Sequence, residues 1–145
     1  MSFAAAGGPG SSAFPLSGGR RGGDVLRDAR VFVVEDEFIV AALLEDRLRS
    51  LGCDVVGPAA TVSEALERLA VEPVDVAVLD VNIAGEKVFP VADALEARGI
   101  PFIFATAYGA SGLNDRHGGT SVLDKPYQER ALEHALRAAL QGRRR

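Results

Sequence analysis

The chain has 145 residues, a formal net charge of −4, 48% hydrophobic residues, 6% aromatics and no Trp, which fits one domain with an aliphatic core. That acidic balance has the wrong sign for a face that neutralises nucleic-acid phosphates. One cysteine, Cys53, excludes an internal disulfide, and no Cys/His cluster offers a structural zinc site.

No apolar run approaches the ~20 residues that cross a bilayer. The N-terminus also lacks the charged and apolar regions of a signal peptide. The expectation is a soluble, unexported protein of the reducing cytoplasm, binding neither membrane nor nucleic acid.

Residues 1–28 are rich in Gly, Ala, Ser and Pro. Ordering them costs backbone entropy with little apolar surface to bury, so a disordered tail is expected there. The folded domain is expected over 29–141, followed by a basic C-terminal tail at 142–145. Short apolar runs then alternate with helical patterns, as in a parallel sheet covered on both faces.

The first strand is Val31-Phe32-Val33-Val34. A helix follows from about Glu37, with Val40, Leu44, Leu48 and Leu51 as its apolar stripe and Gly52 as its stop. The second strand spans roughly Asp54 to Gly57. Thr61 and Glu64 stand in capping-box spacing at the start of the second helix, which buries Val62, Leu66 and Leu69 and ends before Pro73.

The third strand is Val74 to Leu79. The third helix uses Val88, Val91, Ala92 and Leu95, closes at Gly99 and passes through Pro101 to the fourth strand, Phe102 to Ala105. Segment 109–119 has four glycines and one large aliphatic residue, so a fourth helix there is expected to be short and marginal. The fifth strand covers about Ser121 to Leu123. The last helix starts near Tyr127 with Leu132, Leu136, Ala139 and Leu140 inward, completing a βαβαβαβαβα order.

The residue that ends each strand is polar: Glu35 and Asp36, Asp80, Thr106, and Lys125 just beyond the fifth. In an open parallel sheet the carboxyl ends share one edge, and ligands settle where the strand order reverses. With order 2-1-3-4-5 that crevice lies between strands one and three, so the three carboxylates converge beside a hydroxyl and an ammonium.

Crowded carboxylates are costly without a cation, and oxygen donors suit Mg²⁺. An oxygen nucleophile, a divalent ion and a nearby ammonium are what phosphoryl transfer requires. Asp80 is the expected acceptor. Lys125 and Thr106 each fit a phosphorylated Asp80 better than the bare carboxylate, so both are expected to sense it.

Glu35-Asp36-Glu37, Leu79-Asp80-Val81-Asn82, Ala105-Thr106-Ala107 and Asp124-Lys125-Pro126 together resemble the four hallmarks of response-regulator receiver domains. The resemblance implies a flavodoxin-like (βα)5 fold, phosphorylated at Asp80 by a histidine kinase or a histidine phosphotransfer protein. It implies Mg²⁺ held by Glu35, Asp36, Asp80 and the backbone carbonyl of Asn82. It also implies that Lys125 contacts the phosphoryl group and that Thr106 moves toward it. Such a domain catalyses only its own phosphorylation and dephosphorylation.

One departure from the family pattern is Leu123, where receivers usually carry a strand-five aromatic. Pro101-Phe102-Ile103-Phe104-Ala105-Thr106-Ala107-Tyr108-Gly109 is similar to the strand-four run of the FATGUY receivers, with Ala107 in place of Gly. That subgroup is typically single-domain, and it offers Tyr108 as the switch aromatic, coupled to segment 109–119 and to a downstream protein partner. Two other readings stay open: a haloacid-dehalogenase-type phosphatase, although Asp80-Val81-Asn82 lacks its second acid, and a binding module that keeps only the fold.

Overall fold

The computed structural model describes residues 24–106, 121–125 and 127–143. Five strands, β1 (Arg30–Val34), β2 (Asp54–Ala59), β3 (Val76–Asp80), β6 (Phe102–Thr106) and β7 (Val122–Asp124), form one parallel sheet in the order β2-β1-β3-β6-β7. Between β3 and β6 lies a small antiparallel hairpin of β4 (Asn82–Ile83) and β5 (Glu86–Lys87). The helices are α1 (Phe38–Ser50), α2 (Val62–Val71), α3 (Phe89–Ala97) and α4 (Glu129–Arg143). With the hairpin set aside, this is the doubly wound, flavodoxin-like 2-1-3-4-5 order, and it reverses between β1 and β3.

Strand periodicity builds two cores from alternate residues of the same strands. Phe32 and Val34, Ala77 and Leu79, and Phe102 and Phe104 point to one face, where they pack with α2 and α3. Val31 and Val33, Val76 and Val78, and Ile103 and Ala105 point to the other, with α1 and α4. Being buried on both faces explains why these strands read as continuous apolar runs. Phe104 meets Phe102 and Phe89 edge-on, with ring centroids 5.4 and 6.1 Å apart.

The helix signals largely act as read. Gly52, at φ +90, follows α1. Thr61 Oγ1 accepts the Glu64 N–H at 3.0 Å while Glu64 Oε1 accepts the Ala60 N–H at 3.0 Å, so the reciprocal cap forms one residue out from the ideal box.

Several expectations need correction. Residues before 29 join the fold: Leu26 is fully buried among the α1 and α4 side chains, and Asp24 accepts an ion pair from Arg137 at 2.9 Å. At the other end α4 continues to Arg143, past the expected boundary at 141. β2 runs through Gly57-Pro58 to Ala59, and Gly57 is required there, because a Cβ would lie 2.8 Å from the Val33 carbonyl oxygen.

β3 begins at Val76 rather than Val74, because Asp75 instead turns its N–H to the Arg30 carbonyl at 2.9 Å and its carboxylate to the Arg30 N–H at 2.8 Å. On α2 the buried position is Ala65, and Leu66 is exposed. On α1, Ala41 joins Leu44 and Leu48 inside, whereas Val40 is only half-buried; Phe38, Ile39 and Leu43 stand exposed. The expected helix over 109–119 lies outside the described residues.

Candidate functional site

The alternation that builds the two cores also aims the strand-end side chains. Glu35 continues the Val31/Val33 series, Asp80 the Val76/Val78 series, and Lys125 follows Leu123, so all three lean to the α1–α4 side of the sheet edge. They meet there. Lys125 Nζ lies 2.7 Å from Glu35 Oε1 and 3.1 Å from Asp80 Oδ2. Asp36, one residue further along, is exposed, yet its carboxylate joins the others: one oxygen each from Glu35, Asp36 and Asp80 lies within 4.8 Å of the rest.

The burial of the three acids is graded. Glu35 is 4% exposed, Asp80 half-buried and Asp36 open to solvent. Burial pushes the Glu35 carboxyl above its ordinary range; the Lys125 hydrogen bond works against this and the charge of Asp80 adds to it. For Lys125 burial works against the charge, but the Glu35 hydrogen bond and the two carboxylate charges outweigh it and hold the ammonium above its usual value. One cation thus serves two carboxylates, and a third stands beside them uncompensated by it.

Backbone donors complete the pocket. Glu35 Oε2 accepts the Glu37 N–H at 3.2 Å, Asp80 Oδ1 the Asn82 N–H at 3.3 Å, and Asp36 Oδ2 the Ala84 N–H at 2.9 Å. A dense oxygen donor set of this kind fits a hard divalent cation such as Mg²⁺, which carboxylates, carbonyls and water hold together. Glu35, Asp36 and Asp80 would supply it, with Asn82 adjoining.

Thr106 ends β6 fully buried, on the Phe102/Phe104 alternation, and its carbonyl accepts the Lys125 N–H at 2.9 Å. It therefore fixes the backbone that carries the lysine. Tyr108, Pro126 and segment 109–119 lie outside the described residues.

Sequence reasoning missed two features. The β4–β5 hairpin carries its signal in Ala84-Gly85, both at positive φ (51 and 84), but two-residue strands leave no alternation to detect. From the sequence Tyr127 marks only the start of the last helix. Its carbonyl accepts Arg47 Nη1 at 3.2 Å, tying α1 to the segment after Lys125, and burial raises its phenol above the ordinary range.

Fold and edge together define a flavodoxin-like α/β protein with an acid–lysine pocket at its topological switch point. Residues 31–137 match the family described as the response regulator receiver domain, and the chain belongs to that family of two-component signalling domains.

The chain is similar to SdrG from Sphingomonas melonis Fr1 in solution, at 44% identity and TM-score 0.69 over 78% of this chain and 96% of that one. It is also similar to the receiver domain of the Erythrobacter litoralis response regulator PhyR, at 32% identity and TM-score 0.73 over 80% and 92%. SdrG from Pseudomonas melonis Fr1 in its BeF3-activated conformation is 40% identical, with TM-score 0.68 over 79% and 98%. The curated relatives it matches are longer, and the chain spans 46% to 63% of their length. Among the described residues no helix is long and apolar enough to cross a membrane.

Proposed function

We propose that this chain is a cytoplasmic receiver of the FATGUY type that accepts a phosphoryl group on Asp80 in a Mg²⁺-dependent step. The donor would be a phosphohistidine of a kinase or phosphotransfer protein. The observation that carries the reading is the meeting of Glu35, Asp36 and Asp80 oxygens within 4.8 Å, with Lys125 Nζ between the two deeper acids.

In this reading an Asp80 oxygen attacks phosphorus, the P–N bond to the donor imidazole breaks, and the phosphoryl oxygens take up Lys125 in place of the Asp80 carboxylate. Mg²⁺, when bound by Glu35, Asp36, Asp80 and the Asn82 carbonyl, supplies neutralising charge. The Thr106 hydroxyl donates to the phosphoryl group and Tyr108 follows it, passing the change to segment 109–119 and a downstream protein partner. The chain turns over no other substrate.

Support for a switch comes from SdrG, which adopts a BeF3-activated conformation. The test has two arms. Beryllofluoride with Mg²⁺ is expected to shift amides around Asp80, Thr106 and 107–119 in NMR spectra, and Asp80→Asn is expected to abolish both those shifts and labelling by a phosphorylated donor. Undiminished labelling of Asp80→Asn would refute the assignment, and the absence of beryllofluoride shifts in the wild type would favour a module that keeps only the fold.

A further inference from the structure

The β4–β5 hairpin is placed where a mere connection need not be. Its base is fixed: the Val88 N–H donates to the Val81 carbonyl at 2.9 Å, and Val81, Ile83 and Val88 are fully buried. Its tip is Ala84-Gly85 at φ 51 and 84, the pair of left-handed residues that a tight two-residue turn demands. Only two residue pairs hold the ribbon together, Asn82 with Lys87 and Ile83 with Glu86, too few for a hairpin to stand alone in water.

The hairpin is also the backbone partner of two of the three acids. Its first residue, Asn82, donates its N–H to Asp80 Oδ1 at 3.3 Å, and Ala84 at the tip donates to Asp36 Oδ2 at 2.9 Å across 48 residues of sequence. Asp36 is the exposed acid and has no lysine contact, so the Ala84 N–H is what fixes its carboxylate beside Glu35 and Asp80. One oxygen so engaged leaves the other for an ion, the usual arrangement in which an outer hydrogen bond orients a metal-binding carboxylate.

We infer that the β4–β5 hairpin is a positioning element for the divalent ion: Ala84, through its amide, holds Asp36 in the geometry that binds metal, and metal occupancy in turn closes the hairpin. The inference rests on the Mg²⁺ reading above and extends it to residues outside the ligand set. The coupling is reciprocal, because whatever hairpin order adds to ion affinity, the ion returns to hairpin order.

Gly85 gives a clean perturbation. A Cβ there meets no atom within 4 Å, so the strain of a substitution comes from the positive φ. The full chain is titrated with MgCl2, with NMR amide shifts giving the affinity and hydrogen exchange giving protection of the Ala84 amide. In the wild type, exchange at Ala84 slows as the ion saturates.

Gly85→Val weakens Mg²⁺ binding by about tenfold and lowers the unfolding midpoint in EDTA through its strained φ, whereas Gly85→Asn, which tolerates a left-handed turn, restores both. Equal Mg²⁺ affinity of wild type and Gly85→Val, or an Ala84 amide indifferent to the ion, overturns the inference and leaves the metal site standing. A wild type that binds no Mg²⁺ overturns both.

Discussion

Removing the ammonium while keeping its stem isolates the electrostatics of the pocket, and Lys125→Met does this. Glu35, 4% exposed, then loses the partner 2.7 Å away and faces Asp80 without an intervening cation. Removing one member of a buried pair costs about 3–5 kcal/mol when the other must stay charged. Glu35 has an escape, however, because protonating an ordinary glutamate of pKa about 4.3 at pH 7 costs about 3.7 kcal/mol.

The deficit of the variant at pH 7 in EDTA is therefore bounded at about 3.7 kcal/mol, and it exceeds the roughly 0–1 kcal/mol of an exposed pair. In the variant the folded-state pKa of Glu35 lies further above its unfolded value. Its favourable contribution is then fully present below the unfolded pKa and lost as pH rises through the folded one. Urea unfolding at pH 5, 6 and 7 should show the gap to wild type widening with pH, and saturating Mg²⁺ at pH 7 should narrow it. A gap that is the same at pH 5 and pH 7 would refute this account and point to lost packing instead.

Leu26→Ala, which removes a fully buried side chain from the segment before β1, should cost about 2–5 kcal/mol in urea unfolding; a loss under about 1 kcal/mol would show that this segment does not belong to the core. Gly57→Ala should cost about 2–4 kcal/mol, combining a left-handed φ of +99 with a Cβ placed 2.8 Å from the Val33 oxygen, and a neutral effect in thermal unfolding would contradict it. Burial pushes the Cys53 thiol from 9.0 up to about 11. Iodoacetamide should therefore leave the folded protein unmodified at pH 8, and relative to Cys53→Ala the wild type should lose roughly 2–3 kcal/mol as pH rises from 9 through 11, the window between the unfolded and folded thiol. Constant relative stability across that window would count against the burial.

The strands were legible because burial on both faces leaves uninterrupted apolar runs, and the polar residue ending each run marks the edge where ligands collect. Glu35, Asp80 and Lys125 follow from that rule alone, and their contacts follow from strand parity. What stayed hidden depended on partners distant in sequence. Leu26 looks like part of a Gly-rich tail until Leu48 and Leu136 are placed beside it. Leu66 fits a helical stripe as well as Ala65 does, and only the crossing of α2 over the sheet chooses the smaller residue. The hairpin is shorter than any periodic signal, and Asp36 acquires its amide partner only when 48 residues of chain return to the same edge.

The graded burial of the three acids has a consequence for how such a pocket works. Lys125 compensates the two deeper carboxylates, which offsets the cost of holding Glu35 at 4% exposure. Asp36 remains in solvent, where a carboxylate costs little. On the proposed reading Glu35, Asp36 and Asp80 would hold a divalent ion whose charge would offset the repulsion among the three acids, leaving the Lys125 ammonium able to turn to an incoming phosphoryl group. A lysine bound only to Asp80 would leave Glu35 buried and unpaired, while one bound only to Glu35 would leave the acceptor oxygen without a nearby cation; the 2.7 and 3.1 Å contacts avoid both.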